Sequence, residues 1–439
     1  MEAILIKALQ FFASLSLLVM IHEFGHYITA RIFKIRVEKF YIFFNPWFSL
    51  YKRKVGDTEY GIGWLPLGGY VSLAGMIDES MDLEQMKQEP QPWEFRTKPA
   101  WQRLIVMLAG ITMNVLLAMA IYSGMLYTWG ENYFHNDDMV YGYSFSEAGK
   151  QLGFEDGDKI VSIDGESIGN VREIDKKLII ADDNRTVVVE RGGEHVTLTL
   201  PLEQLVAMRE DGSIMGFYQP IIPFVIEEAV LESAKDSGIT AGDKVIAIDN
   251  TPVKDFFEGK ELLTKVAGRN AEIDIVRNAT DTLRLTMPVN AEGQIGVNIK
   301  MIMPRTVEYG FFESIPAGIR RTGSEIASYW DQLKMIVNPK TKSYKEVGGF
   351  IAIGNIFPSE WNWQSFWALT ALLSVILAIM NILPIPGLDG GHALFTLWEI
   401  ITRRKPSDKF LEVMQYIGLA LLLLLLVYAN GNDIIKLFK

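Results

Sequence analysis

The chain contains no cysteine, so disulfides and thiolate metal sites are excluded, and any metal ion must be held by histidine and carboxylate side chains. Histidine itself is scarce, with five in 439 residues, which makes any close grouping of them informative. Basic charge is also short. A formal net charge of −11 leaves no basic face for a phosphate backbone and argues against a nucleic-acid partner. Apolar residues are abundant instead, at 49%, and they are gathered in blocks. A chain of this length exceeds one ordinary core. The pattern indicates a membrane protein with soluble insertions.

Four stretches, 4–30, 104–129, 366–386 and 411–429, are long and apolar enough to cross a hydrocarbon core of ~30 Å, which takes about 20 helical residues. The first lacks an Ala-x-Ala site and runs on into ionisable residues, so it reads as a span rather than a cleaved signal. Basic residues set the orientation. Arg31, Lys34, Arg36, Lys39, Lys52, Arg53 and Lys54 follow the first span, Arg96, Lys98 and Arg103 precede the second, and Arg403, Arg404, Lys405 and Lys409 lie between the third and fourth. These loops are expected to be cytoplasmic. The segment from about 130 to 360, which opens with Glu131, Asp137 and Asp138, then lies outside the cytoplasm with both termini.

That segment repeats itself. "GFEDGDKIVSIDG" (153–165) and "GITAGDKVIAIDN" (238–250) align without gaps, pairing Gly157 with Gly242, Asp158 with Asp243 and Asp164 with Asp249. Each copy reads as a glycine turn, a strand of period two and a second turn, and the alternation in 185–202 and 271–289 completes two small β-rich domains. The run resembles the PDZ domain, whose members take up a peptide end as an added strand. Two such domains are expected, at 131–218 and 219–303, in place of a pair of inert spacers.

Within the first span, "HEFGH" sets His22 and His26 four residues apart, on one face of a helix, with Glu23 beside them. Two imidazoles so placed can share a Zn²⁺ ion, and the carboxylate can take a proton from water and pass it to a leaving amine. As mere structure the cluster is expensive, at ~2.5–3.5 kcal/mol for each charged group inside a membrane. A zinc hydrolase needs a third protein ligand. "NILPIPGLDGGHALF" (381–395) breaks the third span at Pro384, Pro386 and Gly387 and offers two candidates, Asp389 and His392, on the same membrane side as the histidines. Turn chemistry alone does not choose between them.

These motifs, in this order, resemble the site-2 proteases, a family of intramembrane zinc metalloproteases, and within it the bacterial regulator-of-sigma-E protease group. The resemblance implies His22, His26 and Asp389 as zinc ligands and Glu23 as catalytic base, with His392 a neighbour. It further implies that 57–76 forms a membrane-dipping β-hairpin on the cytoplasmic side, offering an edge strand to an unwound substrate, with Gly61, Gly63, Gly68 and Gly69 allowing close backbone approach. Asn381 and Asn114, the latter in "AGITMNVLLA" (109–118), are expected to bind substrate or the developing oxyanion. A juxtamembrane helix and a clamp-like element are expected in 304–360. The sequence departs from the family at 40–47, where a glycine-containing run is usual, and at Asn250 and Thr251 in the second repeat.

The expected architecture is therefore a multi-pass α-helical membrane protein with four spans, a membrane core at 1–130 and 361–439, a cytoplasmic-side hairpin and two inserted PDZ-like α+β domains. The expected function is zinc-dependent endoproteolysis of single-span membrane proteins, such as anti-sigma factors, and of remnant signal peptides in the inner membrane of a bacterium under envelope stress. The PDZ tandem would gate access to trimmed substrates. Two other readings are an inactive PDZ scaffold or chaperone of the same family, and a metal transporter, which would call for more ionisable residues in the second and fourth spans.

Overall fold

The structure, a computed structural model, describes residues 2–66, 68–76 and 89–438. It divides into two compact units, Met1–Glu131 with Val307–Lys439, and Asn132–Thr306.

The first unit is built on helices. α1 (Glu2–Ile32), α2 (Ala100–Trp129), α3 (Phe311–Val337), α4 (Phe350–Ile356), α5 (Trp363–Ile382), α6 (Asp389–Thr402) and α7 (Asp408–Leu437) follow in chain order. Four of them, α1, α2, α5 and α7, are long and apolar enough to cross a membrane, by length and composition. The starts are written locally. Pro99 precedes α2, Asn362 caps α5 by accepting from Ser365 N–H at 2.8 Å, and Ser407 caps α7 by accepting from Phe410 N–H at 3.2 Å. α5 stops at Ile382, just short of Pro384, whose ring excludes a further helical turn. The third span thus ends earlier than 386, and the residues beyond the break form α6, a separate helix that sequence reading did not anticipate. Buried Arg103 of α2 ties α6 in place through Glu399 at 2.6 Å.

Between α1 and α2 lies a four-stranded sheet of β1 (Val37–Tyr41), β2 (Phe44–Val55), β3 (Thr58–Leu65) and β4 (Tyr70–Leu73), in the order β2-β3-β1-β4. Here the hairpin expectation is corrected. The hairpin is β2 with β3, while the two strands inside 57–76 do not pair with one another, because β1 runs between them, parallel to β3 and antiparallel to β4. Gly61 makes this possible, since a Cβ there would collide with the Tyr41 ring across the parallel pair. The unusual 40–47 segment becomes the end of β1, a short connection and an irregular start of β2, with Trp47 at φ 72°.

The second unit holds two hydrophobic cores. One gathers residues between Met139 and Tyr218, including Phe154, Ile160, Ile163, Val187 and Val189; the other gathers residues between Phe224 and Ile295, including Val245, Ile248, Ile273 and Ile275. Each lies on a four-stranded sheet with a separate two-stranded pair. The repeat is legible atom by atom. Buried Asp158 takes an ion pair from Arg191 at 2.7 Å, and buried Asp243 takes one from Arg277 at 2.7 Å. Asp164 and Asp249 occupy the first positions of two-residue turns with φ of 52° and 48°, followed by Gly165 at 80° and Asn250 at 62°. Asparagine tolerates the left-handed region, so its substitution for glycine leaves the turn intact.

Burial by itself would oppose ionisation of Asp243, but hydrogen bonds from Arg277 and from the Thr240 N–H outweigh it and hold the carboxyl below the ordinary range. A depressed carboxylate stabilises the fold above its unfolded value of about 3.9, and that contribution is lost as pH falls through the folded value. Thermal unfolding of the second core is therefore expected to shift downward in temperature as pH drops below about 4. Asp243→Asn should flatten that dependence, and a parallel slope in the variant would refute the assignment.

Candidate metal centre

The centre begins with a helix crossing. A Cβ on Gly25 of α1 would stand 2.5 Å from the Ala109 carbonyl of α2, so the two backbones touch there. One residue on, Gly110 leaves a shelf for both imidazoles: a Cβ on it would lie 2.7 Å from His22 Cε1, 2.8 Å from His22 Nε2, and closer still to His26 Nε2. The missing side chain also uncovers the carbonyl one turn earlier, and His26 Nδ1 meets Val106 O at 2.8 Å. A carbonyl only accepts, so Nδ1 carries the proton and Nε2 keeps its lone pair.

His22 is fixed by Asn114. This fully buried carboxamide lies 3.3 Å from His22 Nδ1, and its Oδ1 has no hydrogen-bond partner when Nδ2 faces the ring. Exchanging the two amide atoms by rotation lets the oxygen accept the Nδ1–H of His22. Asn114 therefore supports a ligand from behind. It is fully buried and is not among the residues lining the cavity described below. Asn114→Leu is expected to weaken metal binding about 10- to 100-fold, measured by competition with a chromogenic chelator, while the helices remain folded.

The third group comes from the helix break. Gly390 and Gly391 let the first turn of α6 lie against the carbonyls of Ile382, Leu383 and Ile385, where a Cβ on either glycine would clash. Asp389, the first residue of α6, then reaches the histidines. Its Oδ2 stands 3.0 Å from His22 Nε2 and 3.2 Å from His26 Nε2, and the two Nε2 atoms are 3.2 Å apart. With both Nδ1 atoms protonated, three lone pairs face one another with no hydrogen between them, and Asp389 Oδ2 is a buried acceptor without a hydrogen-bond donor. A cation at their common point would satisfy all three at once. Tetrahedral ligands 2.0–2.1 Å from zinc stand about 3.3 Å from one another, so the spacing and the N, N, O donor set both suit zinc. Among the described residues these three form the only such group, and His392 is not in it.

The three donors lie in the wall of a cavity of about 550 Å³ that Glu23, Asn381, His392 and Gln415 also line. Glu23 is half-buried there, and Asn381 Nδ2 is 3.5 Å from His22 Nε2. Gly68, Gly69, Tyr70, Val71 and Leu73 form another part of the wall. Gly61 and Gly63 do not line it. They sit in β3, inside the sheet, where their Cβ positions are filled by the Tyr41 ring and by the Phe43 and Phe44 carbonyls, so the expectation that they contact substrate is corrected to a packing role. Sequence reading also missed Gly110; its only signal is its place one turn before Asn114.

Comparison with known proteins follows this geometry. The sequence pattern of peptidase family M50 matches residues 10–425. The chain is 29% identical over 443 residues to a protein of Xylella fastidiosa named "Putative zinc metalloprotease", covering 96% of this chain and 97% of that one. A protein of the same name from Vibrio cholerae is 29% identical over 466 residues, covering 100% of both chains. The regulator of sigma E protease of Haemophilus influenzae is 28% identical over 453 residues, covering 97% of this chain and 98% of that one.

Proposed function

Because the chain belongs to peptidase family M50, we propose that it is a zinc-dependent intramembrane endopeptidase that cuts single-span membrane proteins near the cytoplasmic side of the bilayer. The observation that carries this reading is the convergence of three donor atoms, from His22, His26 and Asp389, in the wall of a cavity that the Glu23 carboxylate and strand β4 also line.

His22, His26 and Asp389 hold the zinc, which when bound supplies Lewis-acid activation of water and of the scissile carbonyl. Glu23 accepts the proton of the attacking water and returns it to the leaving amine. Asn381 presents its amide N–H to the carbonyl oxygen as that oxygen gains charge. A transmembrane substrate hides its carbonyls in i→i−4 hydrogen bonds, so it must be unwound before water can reach one. Among the described residues strand β4 pairs with β1 and ends the sheet, and its residues Tyr70 and Val71 line the cavity; the edge turned from β1 is where the unwound segment would be held extended. Gly68 and Gly69 line the cavity beside that edge.

The units of 131–218 and 219–303 act as a PDZ tandem on the periplasmic side of a bacterial inner membrane. There they admit substrates whose outer domain has been trimmed, with anti-sigma factors and remnant signal peptides as the substrate class. The element at 304–360 serves as juxtamembrane helix and clamp. Purified chain with a trimmed single-span substrate is expected to give a cut inside the span, lost on chelation and restored by zinc; no cut under any zinc condition would favour the scaffold reading. Deleting 140–300 is expected to abolish the preference for trimmed over full-length substrate, and an unchanged preference would remove gating from the account.

A further inference from the structure

Helix α7 is apolar along most of its length, and Ile417, Leu424 and Val427 face outward, at 54%, 68% and 70% exposure. Gln415 breaks that pattern. Its side chain is turned inward, the residue is only 7% exposed, and it lines the cavity that holds Glu23 and Asp389. Among the described residues its side chain has no hydrogen-bond partner, and as part of the cavity wall the amide can offer its donor and acceptor only to what enters there. Such a group is costly in hydrocarbon unless a partner arrives from the cavity. Its position is fixed one turn before Gly418, where α7 lies directly against the Pro386 carbonyl, in the break that leads to Asp389.

We infer that Gln415 is a substrate-binding residue, pairing through its carboxamide with main-chain groups of the extended substrate that β4 leaves free. The inference rests on the proteolytic reading above. An extended segment paired to β4 along one edge still presents N–H and C=O groups along the other, and these have no water to meet inside a membrane. A carboxamide carries one acceptor and an N–H donor in the same relation as a peptide group, so it matches any sequence and reads extension rather than side chains.

The test uses the full chain in detergent. Gln415→Met keeps volume but removes both hydrogen-bonding functions; it is expected to lower kcat/KM about tenfold or more on a trimmed single-span substrate, with zinc content unchanged. Because the chain has no cysteine, Gln415→Cys in a Glu23→Gln background carries a single thiol. Cysteines scanned through the substrate span should form disulfides with it close to the cut site and at alternate positions, the period of an extended strand. Unchanged kcat/KM in Gln415→Met overturns the inference whatever the cross-links show. If that variant loses zinc or fails to fold, the cross-links decide: alternation supports the inference, and a helical period or no cross-link overturns it. A wild-type chain that does not cut at all removes the proteolytic reading itself.

Discussion

Glu23→Gln is expected to lose cleavage by a factor of about 10²–10⁴, the usual contribution of a positioned general base, while keeping its zinc. The amide is nearly the shape of the carboxylate, so the cavity wall is preserved, but it cannot take the proton of the attacking water. Because Glu23 is not in the group of three donors, metal content should not follow activity. Cleavage rate and zinc content measured on one preparation separate the two. Equal loss of both would mean that Glu23 acts on the metal, and retained cleavage would move the base to another group in the cavity.

Gly110→Ala is expected to do the opposite, losing zinc and activity together. One methyl group on α2 would occupy the space of His26 Nε2 and press on His22, and the same crossing has no slack, because α1 and α2 are in backbone contact at Gly25 and Ala109. Relief requires either ring to leave the common point or the helices to part, and each disperses the donors. Zinc titration of the purified variant should show binding weaker by about 100-fold or more, beyond what loss of a supporting group alone gives. Binding within a few-fold of wild type would show that the rings can give way.

The contrast between these two positions shows what a sequence reveals. His22, Glu23 and His26 are legible because helical spacing alone puts the histidines on one face. Asp389 is legible only together with a resemblance, since the residues left it level with His392; the three-way spacing of donor atoms separates them in the structure. Gly110 is silent in sequence because its role is a space between two helices, and one glycine among 37 announces nothing. The sheet was misread for a related reason. Two strands separated by four residues suggest a hairpin, but β1 enters between them through a parallel pairing that depends on Gly61, and no local pattern encodes a parallel partner. The same misreading assigned Gly61 and Gly63 to substrate. Helix α6 was hidden by its own opening, where Asp-Gly-Gly looks like a loop and is instead the point at which backbone packs on backbone. The repeat at 153–165 and 238–250 was the easiest to read, because each aspartate carries an interaction within its own copy.

The central claim is that one metal, held by His22, His26 and Asp389, supports proteolysis through Glu23. It is tested most directly by measuring zinc stoichiometry and cleavage of a trimmed single-span substrate together in the wild type, Glu23→Gln and Asp389→Asn. One zinc per chain in the first two, cleavage in the first alone, and loss of both in the third is the expected result. Cleavage by a zinc-free chain, or full zinc and activity in Asp389→Asn, would contradict it.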